Sequence, residues 1–203
     1  MGIAEGLTHI QSVIAGRSTL IAVSKMHPAS AIAEAYALGQ RDFGENYAQE
    51  LVTKAQALSA SCPELRWHFI GRLQKNKINM LAGHVFAWHT VDSVDTAQAL
   101  AKRTVAAQVL VQVNVARETQ KGGVLPEQLS EVVAACAGLT LRGLMTIHPA
   151  EGDPTPYFRT LATLRDAHAP GGWLSMGMSH DYAAAIACGA THVRVGTAIF
   201  GAR

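Results

Sequence analysis

The first apolar run of the sequence ends in a lysine. The residues TLIAVS at 19–24 are followed by Lys25. A lysine at the end of an apolar strand is partly desolvated, which lowers the pKa of its amine and favours the neutral form that attacks carbonyl carbons. The alternative is an exposed lysine that begins a loop, as most lysines are exposed. Lys25 is therefore a candidate Schiff-base lysine.

A second group of residues near the end of the sequence could bind an anion. Ser179 closes the stretch SMGMS at 175–179, and we expect it to N-cap a helix over 179–188. Gly196 allows close approach of the backbone to a ligand, and Thr197 adds a hydroxyl. A serine cap alone is common, but this combination predicts a phosphate site. Arg194 would contact the phosphate or, in a ligand that contains a nitrogen heterocycle, the ring nitrogen.

Two further polar stretches follow strand candidates. FGENY at 43–47 offers a carboxylate and an amide to a ligand, although the same residues fit a helix start with an acid in its first turn. WHFIGRLQ at 67–74 contains His68, which is read as a packing residue rather than as a base.

Short β-rich runs alternate with helical segments along the whole chain. This order predicts parallel βαβ units. Eight strands are the number at which such units close, so we expect a (β/α)8 TIM-type barrel, with an open doubly wound sheet as the alternative. The predicted strands are 19–23, 41–44, 66–70, 86–91, 109–115, 141–146, 173–176 and 192–195, and the predicted helices are 30–38, 48–58, one from about 74, 93–103, 126–136, 154–168 and 179–188.

Barrel closure would bring the two candidate groups together. The first strand neighbours the eighth in a closed barrel, so Lys25 would lie beside the phosphate residues at the end where barrels carry their sites. A ligand with a phosphate and an electrophilic carbon fits this arrangement, and pyridoxal 5'-phosphate (PLP) is such a ligand. Arg194 at the ring nitrogen would keep that nitrogen unprotonated and weaken the ring as an electron sink. Another phosphorylated metabolite, bound without a Schiff base, is the weaker alternative.

Composition limits the class of protein. The chain has 203 residues, 49% of them hydrophobic and 16% charged, which predicts one globular domain over 1–203 with a helix before the first strand. With 17 Lys and Arg against 15 Asp and Glu, there is no basic surface that would favour nucleic acid. Widely spaced cysteines and the lack of a leader or membrane-spanning run predict a cytoplasmic protein without membrane attachment.

The motifs together resemble one family closely. LIAVSK at 20–25, FGENY at 43–47, WHFIGRLQKNK at 67–77, LRGLMTI at 141–147, SMGMS at 175–179 and RVGTAIFGAR at 194–203 resemble the pyridoxal-phosphate homeostasis proteins, which share the barrel of the alanine racemase N-terminal domain. The resemblance implies that Lys25 is the aldimine lysine and that Ser179, Gly196 and Thr197 hold the phosphate.

It further implies that Arg194 approaches the ring and that Asn46 and Met145 line the pocket. Four positions depart from the family pattern. Met26-His27 replaces a more usual threonine-lysine pair, Ala183 replaces a common acidic residue, and His148 stands where proline is frequent.

The resemblance also implies a role. Members of the family are regarded as carriers of the free cofactor, so we expect a monomer that buffers or delivers PLP, with PLP-dependent apo-enzymes as transient partners and no catalytic reaction of its own. Two-base racemisation needs a second acid/base, which alanine racemase takes from a separate domain and which we expect this chain to lack. The alternative is a PLP-dependent racemase or decarboxylase of low activity, with Tyr47, His68 or His148 as its second base.

Overall fold

Eight parallel strands form a closed barrel in a computed structural model that describes residues 2–201. They follow one another around the barrel in sequence order, and β8 pairs with β1. The predicted barrel is confirmed, and the open sheet is excluded. The strands are β1 (Thr19–Val23), β2 (Asp42–Glu45), β3 (Arg66–Phe69), β4 (Val85–Val91), β5 (Gln108–Gln112), β6 (Thr140–Met145), β7 (Trp173–Ser175) and β8 (His192–Val195).

Helices cover the outside of the barrel. They are α1 (Ile3–Ile14), α2 (Ala29–Ala37), α3 (Ala48–Leu58), α4 (Ile78–Leu81), α5 (Val94–Ala101), α6 (Leu129–Ala135), α7 (Thr155–His168), α8 (Tyr182–Ala187) and α9 (Thr197–Phe200), with 3-10 turns at Lys75–Lys77 and Pro126–Gln128 before α4 and α6. None of the helices within residues 2–201 combines the length and the apolarity needed to cross a lipid bilayer.

The prediction that Ser179 N-caps a helix is wrong. α8 begins at Tyr182, with Asp181 in the N-cap position. Ser179 lies before this cap, and its hydroxyl contacts residues that follow β8 instead. Gly189 does end the helix as expected, with φ of +87°.

Other boundaries differ by a few residues. β5 ends at Gln112, although the apolar pattern continues to Val115. The segment that opens at Pro126 begins as a 3-10 turn, and α6 starts only at Leu129. α9 was not predicted, because its four residues are too few to show a helical period.

Successive residues of each strand face alternately outward, toward the helices, and inward, toward the barrel interior. Outward residues such as Ala22, Val111 and Val193 pack against the helices in one continuous apolar core. Full burial of such side chains stabilises the fold by about 1.5–3 kcal/mol each. Several inward positions are polar instead, and they bond to one another across the barrel interior: Asp42, His68, His89, Ser175 and Arg194.

The barrel closes where its first and last strands pair. Ile21 lies opposite Arg194 and Ala22 opposite Val195 in this pairing. Outside the barrel, α1 crosses α9 closely at Gly6, where a Cβ atom would lie 2.4 Å from the carbonyl oxygen of Ala198. Only glycine allows this approach, so α1 supports the helix that follows the closing strand.

Candidate functional site

Lys25 lies in a tight turn at the carboxyl end of β1. The His27 N–H donates to the Ser24 carbonyl at 3.1 Å, and Met26 adopts a left-handed φ of +64°. The Met26 N–H donates to Glu50 Oε1 at 2.6 Å, which supports this conformation from α3. Lys25 itself is half-buried. The turn thus holds the lysine at the end of the barrel where the predicted ligand groups lie.

A buried ionic cluster supports the same turn from outside the barrel. Lys54 Nζ lies 2.7 Å from each of three oxygens: the Ser24 carbonyl, Glu45 Oε1 and Glu50 Oε1. The Ser24 hydroxyl also donates to Glu45 Oε1 at 2.7 Å. Burial raises the pKa of Glu45, although Lys54 and Ser24 oppose that shift. The cluster joins the end of β1 to β2 and α3 and thereby positions the turn that carries Lys25.

Ser179, Gly196 and Thr197 meet at the closing strands. Ser179 Oγ accepts the Gly196 N–H at 3.4 Å and the Thr197 hydroxyl at 3.1 Å. Since two donors already point at this oxygen, its own hydrogen can be given to an anion. A Cβ atom at Gly196 would lie 3.1 Å from the Val23 carbonyl, so this group lies beside the strand that leads to Lys25.

Arg194 is buried inside the barrel on β8, two residues before Gly196. Its Nη1 donates to Ser175 Oγ and its Nη2 to the Thr146 carbonyl, both at 2.8 Å. Burial lowers the pKa of Arg194 to about 10, and the carboxylate of Asp181 acts in the opposite direction. The guanidinium is therefore a cation near neutral pH, held in place by Ser175 of β7 and by Thr146, which directly follows β6.

Asn46 follows β2 as Lys25 follows β1. Val23 pairs with Gly44, and Lys25 and Asn46 each lie two residues beyond this pair. Asn46 Oδ1 is buried and has no hydrogen-bond partner among residues 2–201. Such an atom calls for a donor, since an unsatisfied buried oxygen costs about 1–3 kcal/mol.

Met145 lies at the end of β6, completely buried. It pairs with Gln112 of β5 and Ser175 of β7. Because Ser175 also accepts from Arg194, Met145 belongs to the strand ends that surround this guanidinium.

The donor set fits a phosphorylated aldehyde with a ring nitrogen. Ser179 supplies a hydroxyl donor for an anion, with the Thr197 hydroxyl and the Gly196 N–H directed at its oxygen. Lys25 supplies an amine for an electrophilic carbon, and Arg194 a fixed donor for a ring acceptor. The unpartnered oxygen of Asn46 is left for a donor of the ligand. All four groups lie at the carboxyl ends of β1, β2, β7 and β8.

The candidates for a second base are placed differently. Tyr47 is 54% exposed and N-caps α3 in the loop after β2. His68 is deep inside the barrel, between Asp42 and His89. His148 is buried and has both ring nitrogens occupied by Pro149 and Asp181.

Sequence reasoning missed the ionic cluster and most of the polar interior. The sequence leaves Glu45 open as a ligand carboxylate or as the acid of a helix start, and the structure directs it outward to Lys54 instead. The spacing of Glu50 and Lys54 by four residues on α3 is a signal that could have suggested the pair. His89 and Ser175 carry no local signal, because their partners are distant in sequence.

Comparison with known proteins gives one consistent family. A model described as "Alanine racemase, N-terminal domain" matches residues 3–203. A relative from Vibrio alginolyticus named "Pyridoxal phosphate homeostasis protein" is 46% identical over 201 residues, which covers 91% of this chain and 86% of the relative.

Solved structures agree with this result. PipY from Synechococcus elongatus, determined without PLP, superposes with a TM-score of 0.90 at 38% identity and covers 98% of this chain and 100% of its own. The structure of PipY with PLP bound gives a TM-score of 0.87 at 37% identity, with the same coverage of 98% and 100%.

Proposed function

The chain belongs to the alanine racemase N-terminal domain family, and on this premise we propose that it binds PLP and buffers or delivers the cofactor in the cell. Relatives that match over most of their length are named for pyridoxal phosphate homeostasis, and PipY has been solved with PLP bound. The observation that carries the proposal is the meeting of Ser179, Gly196 and Thr197 beside the strand that leads to Lys25.

Each residue of the site has a part in this proposal. Ser179, Gly196 and Thr197 bind the phosphate, Arg194 donates to the ring nitrogen, and Asn46 and Met145 line the pocket. PLP supplies an aldehyde whose carbon condenses with a lysine amine, forming a C=N bond and releasing water. Lys25 is the amine that makes this bond.

A carrier role is supported by the charge of Arg194 and by the contacts of two histidines. Arg194 is a cation near neutral pH, because its pKa is lowered only to about 10. A guanidinium does not give up its proton to the ring nitrogen, which leaves the ring a poor acceptor of electrons. His68 and His148 are both held by neighbouring residues, which disfavours either as a mobile acid or base. We therefore infer that the chain is not an enzyme.

Delivery of PLP would take place in transient encounters with other proteins. The chain acts as one domain and as a monomer in the cytoplasm, and it passes PLP to apo-enzymes in transient encounters. A site at the open end of a barrel allows such exchange. Mixing the loaded protein with an apo-enzyme that needs PLP, and following the gain of that enzyme's activity, tests delivery directly. If no cofactor moves across, delivery is rejected and only buffering remains.

The central experiment is spectroscopic. PLP is added to the wild type, Lys25→Ala and the control Lys102→Ala, which changes an exposed lysine at the end of α5. We expect a yellow, borohydride-sensitive absorption band in the wild type and the control but not in Lys25→Ala. Mass spectrometry after reduction should find the added mass on the Lys25 peptide. A colourless wild type would overturn the proposal.

A further inference from the structure

A cavity of about 340 Å³ lies at the carboxyl ends of β3, β4 and β5, and we call it the β3–β5 cavity. Arg72 lines it three residues beyond β3, and Asp92 lines it directly after β4. Gln112, the last residue of β5, forms part of its wall. Pockets that bind small molecules have volumes of about 300–1,000 Å³. The cavity is therefore large enough for a small metabolite.

The β3–β5 cavity adjoins the proposed cofactor site but is distinct from it. Within the described part of the chain, Asn46 is the one cofactor candidate that lines the cavity. Lys25, Ser179 and Thr197 follow β1, β7 and β8 instead, across the barrel from β3, β4 and β5. A ligand of this cavity would therefore lie apart from the lysine that is proposed to bind PLP.

Arg72 and Asp92 carry opposite charges that do not pair. Among residues 2–201, neither side chain has an ion-pair partner, and the two are too far apart to pair with each other. The Arg72 guanidinium also donates no hydrogen bond to these residues, so all its N–H groups are left for a ligand.

Asp92 keeps one carboxylate oxygen for a ligand. The Thr96 hydroxyl donates to its Oδ1 at 3.2 Å. Its Oδ2 points toward Gly122, another lining residue, where a Cβ atom would lie 3.8 Å away. This oxygen therefore faces the loop on the other side of the cavity and can accept from a donor placed between them.

Lys121 is the third charged residue of the lining, but its charge is already balanced. Its Nζ lies 2.5 Å from Glu118 Oε2 and donates to the His148 carbonyl at 2.6 Å. The unpaired charges that a ligand meets in the cavity are therefore one cation, Arg72, and one anion, Asp92.

A ligand with one carboxylate and one ammonium group complements these two charges. A carboxylate accepts two parallel N–H bonds from a guanidinium, and an ammonium donates to a carboxylate oxygen. Free α-amino acids carry both groups near neutral pH. Gln112, Thr119 and Gln120 add amide and hydroxyl groups to the lining, which suit a polar side chain.

We propose that the β3–β5 cavity binds a free α-amino acid with a polar side chain, whose carboxylate pairs with Arg72 and whose ammonium pairs with Asp92. The amino acid binds without reacting, because an amine that Asp92 holds as an ammonium has no lone pair to attack a carbonyl carbon. This inference goes beyond the proposed function, since it needs neither PLP nor Lys25.

The test titrates glutamine into the ligand-free protein and follows the NMR chemical shifts of the protein. It compares the wild type, Arg72→Gln and Asp92→Asn with two controls at exposed helical positions, Arg159→Gln and Glu131→Gln. We expect each cavity variant to raise the Kd for glutamine about tenfold, the effect of one charge-assisted contact, and the controls to leave it unchanged. The cavity variants should fold normally, because Arg72 has no contact to lose and an asparagine side chain can still accept from Thr96.

Two analogues of glutamine assign each charge to its partner. Glutaminamide lacks the carboxylate, so it should bind the wild type about tenfold more weakly than glutamine does and be unaffected by Arg72→Gln. N-acetylglutamine lacks the ammonium, so its weaker binding should be unaffected by Asp92→Asn. The inference is overturned if glutamine does not bind the wild type, if either cavity variant keeps the wild-type affinity, or if the analogues bind as tightly as glutamine. Binding of PLP plays no part in these measurements, so failure here leaves the proposed function to its own test.

Discussion

His68 Nδ1 lies 2.9 Å from His89 Nε2 in the middle of the barrel, where both rings are completely buried. Burial lowers the pKa of both histidines, so both are neutral near pH 7. His68 Nε2 lies 2.9 Å from Asp42, a carboxylate whose low pKa reflects bonds from Arg66 and His68 that outweigh its burial. Asp42 can only accept, so His68 donates from Nε2 and accepts at Nδ1 from His89.

The same reasoning fixes the rest of the chain of bonds. His89 donates from Nε2 and therefore accepts at Nδ1 from the Ser175 hydroxyl, at 2.9 Å. Ser175 in turn accepts from Arg194. Every donor is directed toward Asp42, and no other arrangement satisfies all the groups. A cation at one end of the barrel is thereby joined to an anion at the other through three neutral side chains.

The first prediction concerns this chain of bonds. His89→Leu should lower the free energy of unfolding by about 3 kcal/mol, because it leaves His68 and Ser175 without their buried partner. His9→Leu, at an exposed position, should change it by less than about 0.5 kcal/mol. Urea unfolding followed by circular dichroism measures both. Equal stability of the two variants would show that this series of hydrogen bonds does not stabilise the fold.

The second prediction is a loss of stability in acid. Burial lowers the pKa of His192 to about 3 and also lowers those of His68 and His89. In the unfolded chain a histidine has a pKa of about 6.5. Below that pH the unfolded state binds protons that the folded state does not, so the free energy of unfolding falls with falling pH. Each neutral histidine adds a slope of about 1.4 kcal/mol per pH unit.

His192→Met tests this slope at one residue. Methionine has a similar length and does not titrate. Between pH 6 and pH 5, the free energy of unfolding of the variant should therefore fall less steeply than that of the wild type, by about 1.4 kcal/mol per pH unit. Urea titrations at several pH values give the slopes. A slope identical to that of the wild type would mean that His192 takes up its proton in the folded state.

The third prediction concerns the ionic cluster behind Lys25. Lys54→Met should destabilise the fold by about 3–5 kcal/mol, since it leaves Glu45 buried without its cation. The double variant Lys54→Met/Glu45→Gln removes the unpaired charge and should recover most of that loss. Thermal unfolding at neutral pH gives both values. If the double variant is no more stable than the single one, the buried charge is not the cause.

The fourth prediction concerns the closing strands. A Cβ atom at Gly196 would lie 3.1 Å from the Val23 carbonyl and 3.3 Å from its Cβ, so Gly196→Ala should push β1 and β8 apart slightly. We expect PLP affinity to fall at least tenfold. Gly83→Ala is the matched control, because nothing lies within 4 Å of its Cβ position. Equilibrium titration by absorbance compares the two, and equal affinities would contradict the role of Gly196.

The barrel and the grouping of the site followed from the sequence for a physical reason. Regular βα alternation leaves few topologies, and closure makes the first and last strands neighbours. The proximity of the Lys25 strand to Gly196 and Thr197 is a consequence of that topology and needs no knowledge of side-chain positions.

Details that depend on tertiary contacts could not be predicted from the sequence. Ser179 and Asp181 are both good N-cap residue types, and the choice between them is made by the contacts of Ser179 with Gly196 and Thr197. The inward or outward direction of Glu45 depends on the register of a four-residue strand, which its sequence does not specify.

The meeting of Ser179 and Thr197 beside β1 has a consequence for how the protein is made. The groups proposed to hold the cofactor come from opposite ends of the sequence and become neighbours only when β8 docks against β1. A nascent chain that still lacks β8 has no complete site, whatever the concentration of cofactor around it. Ligand that binds only the closed barrel also opposes its opening, in proportion to the logarithm of its concentration. Cofactor supply would then set the lifetime of the folded carrier.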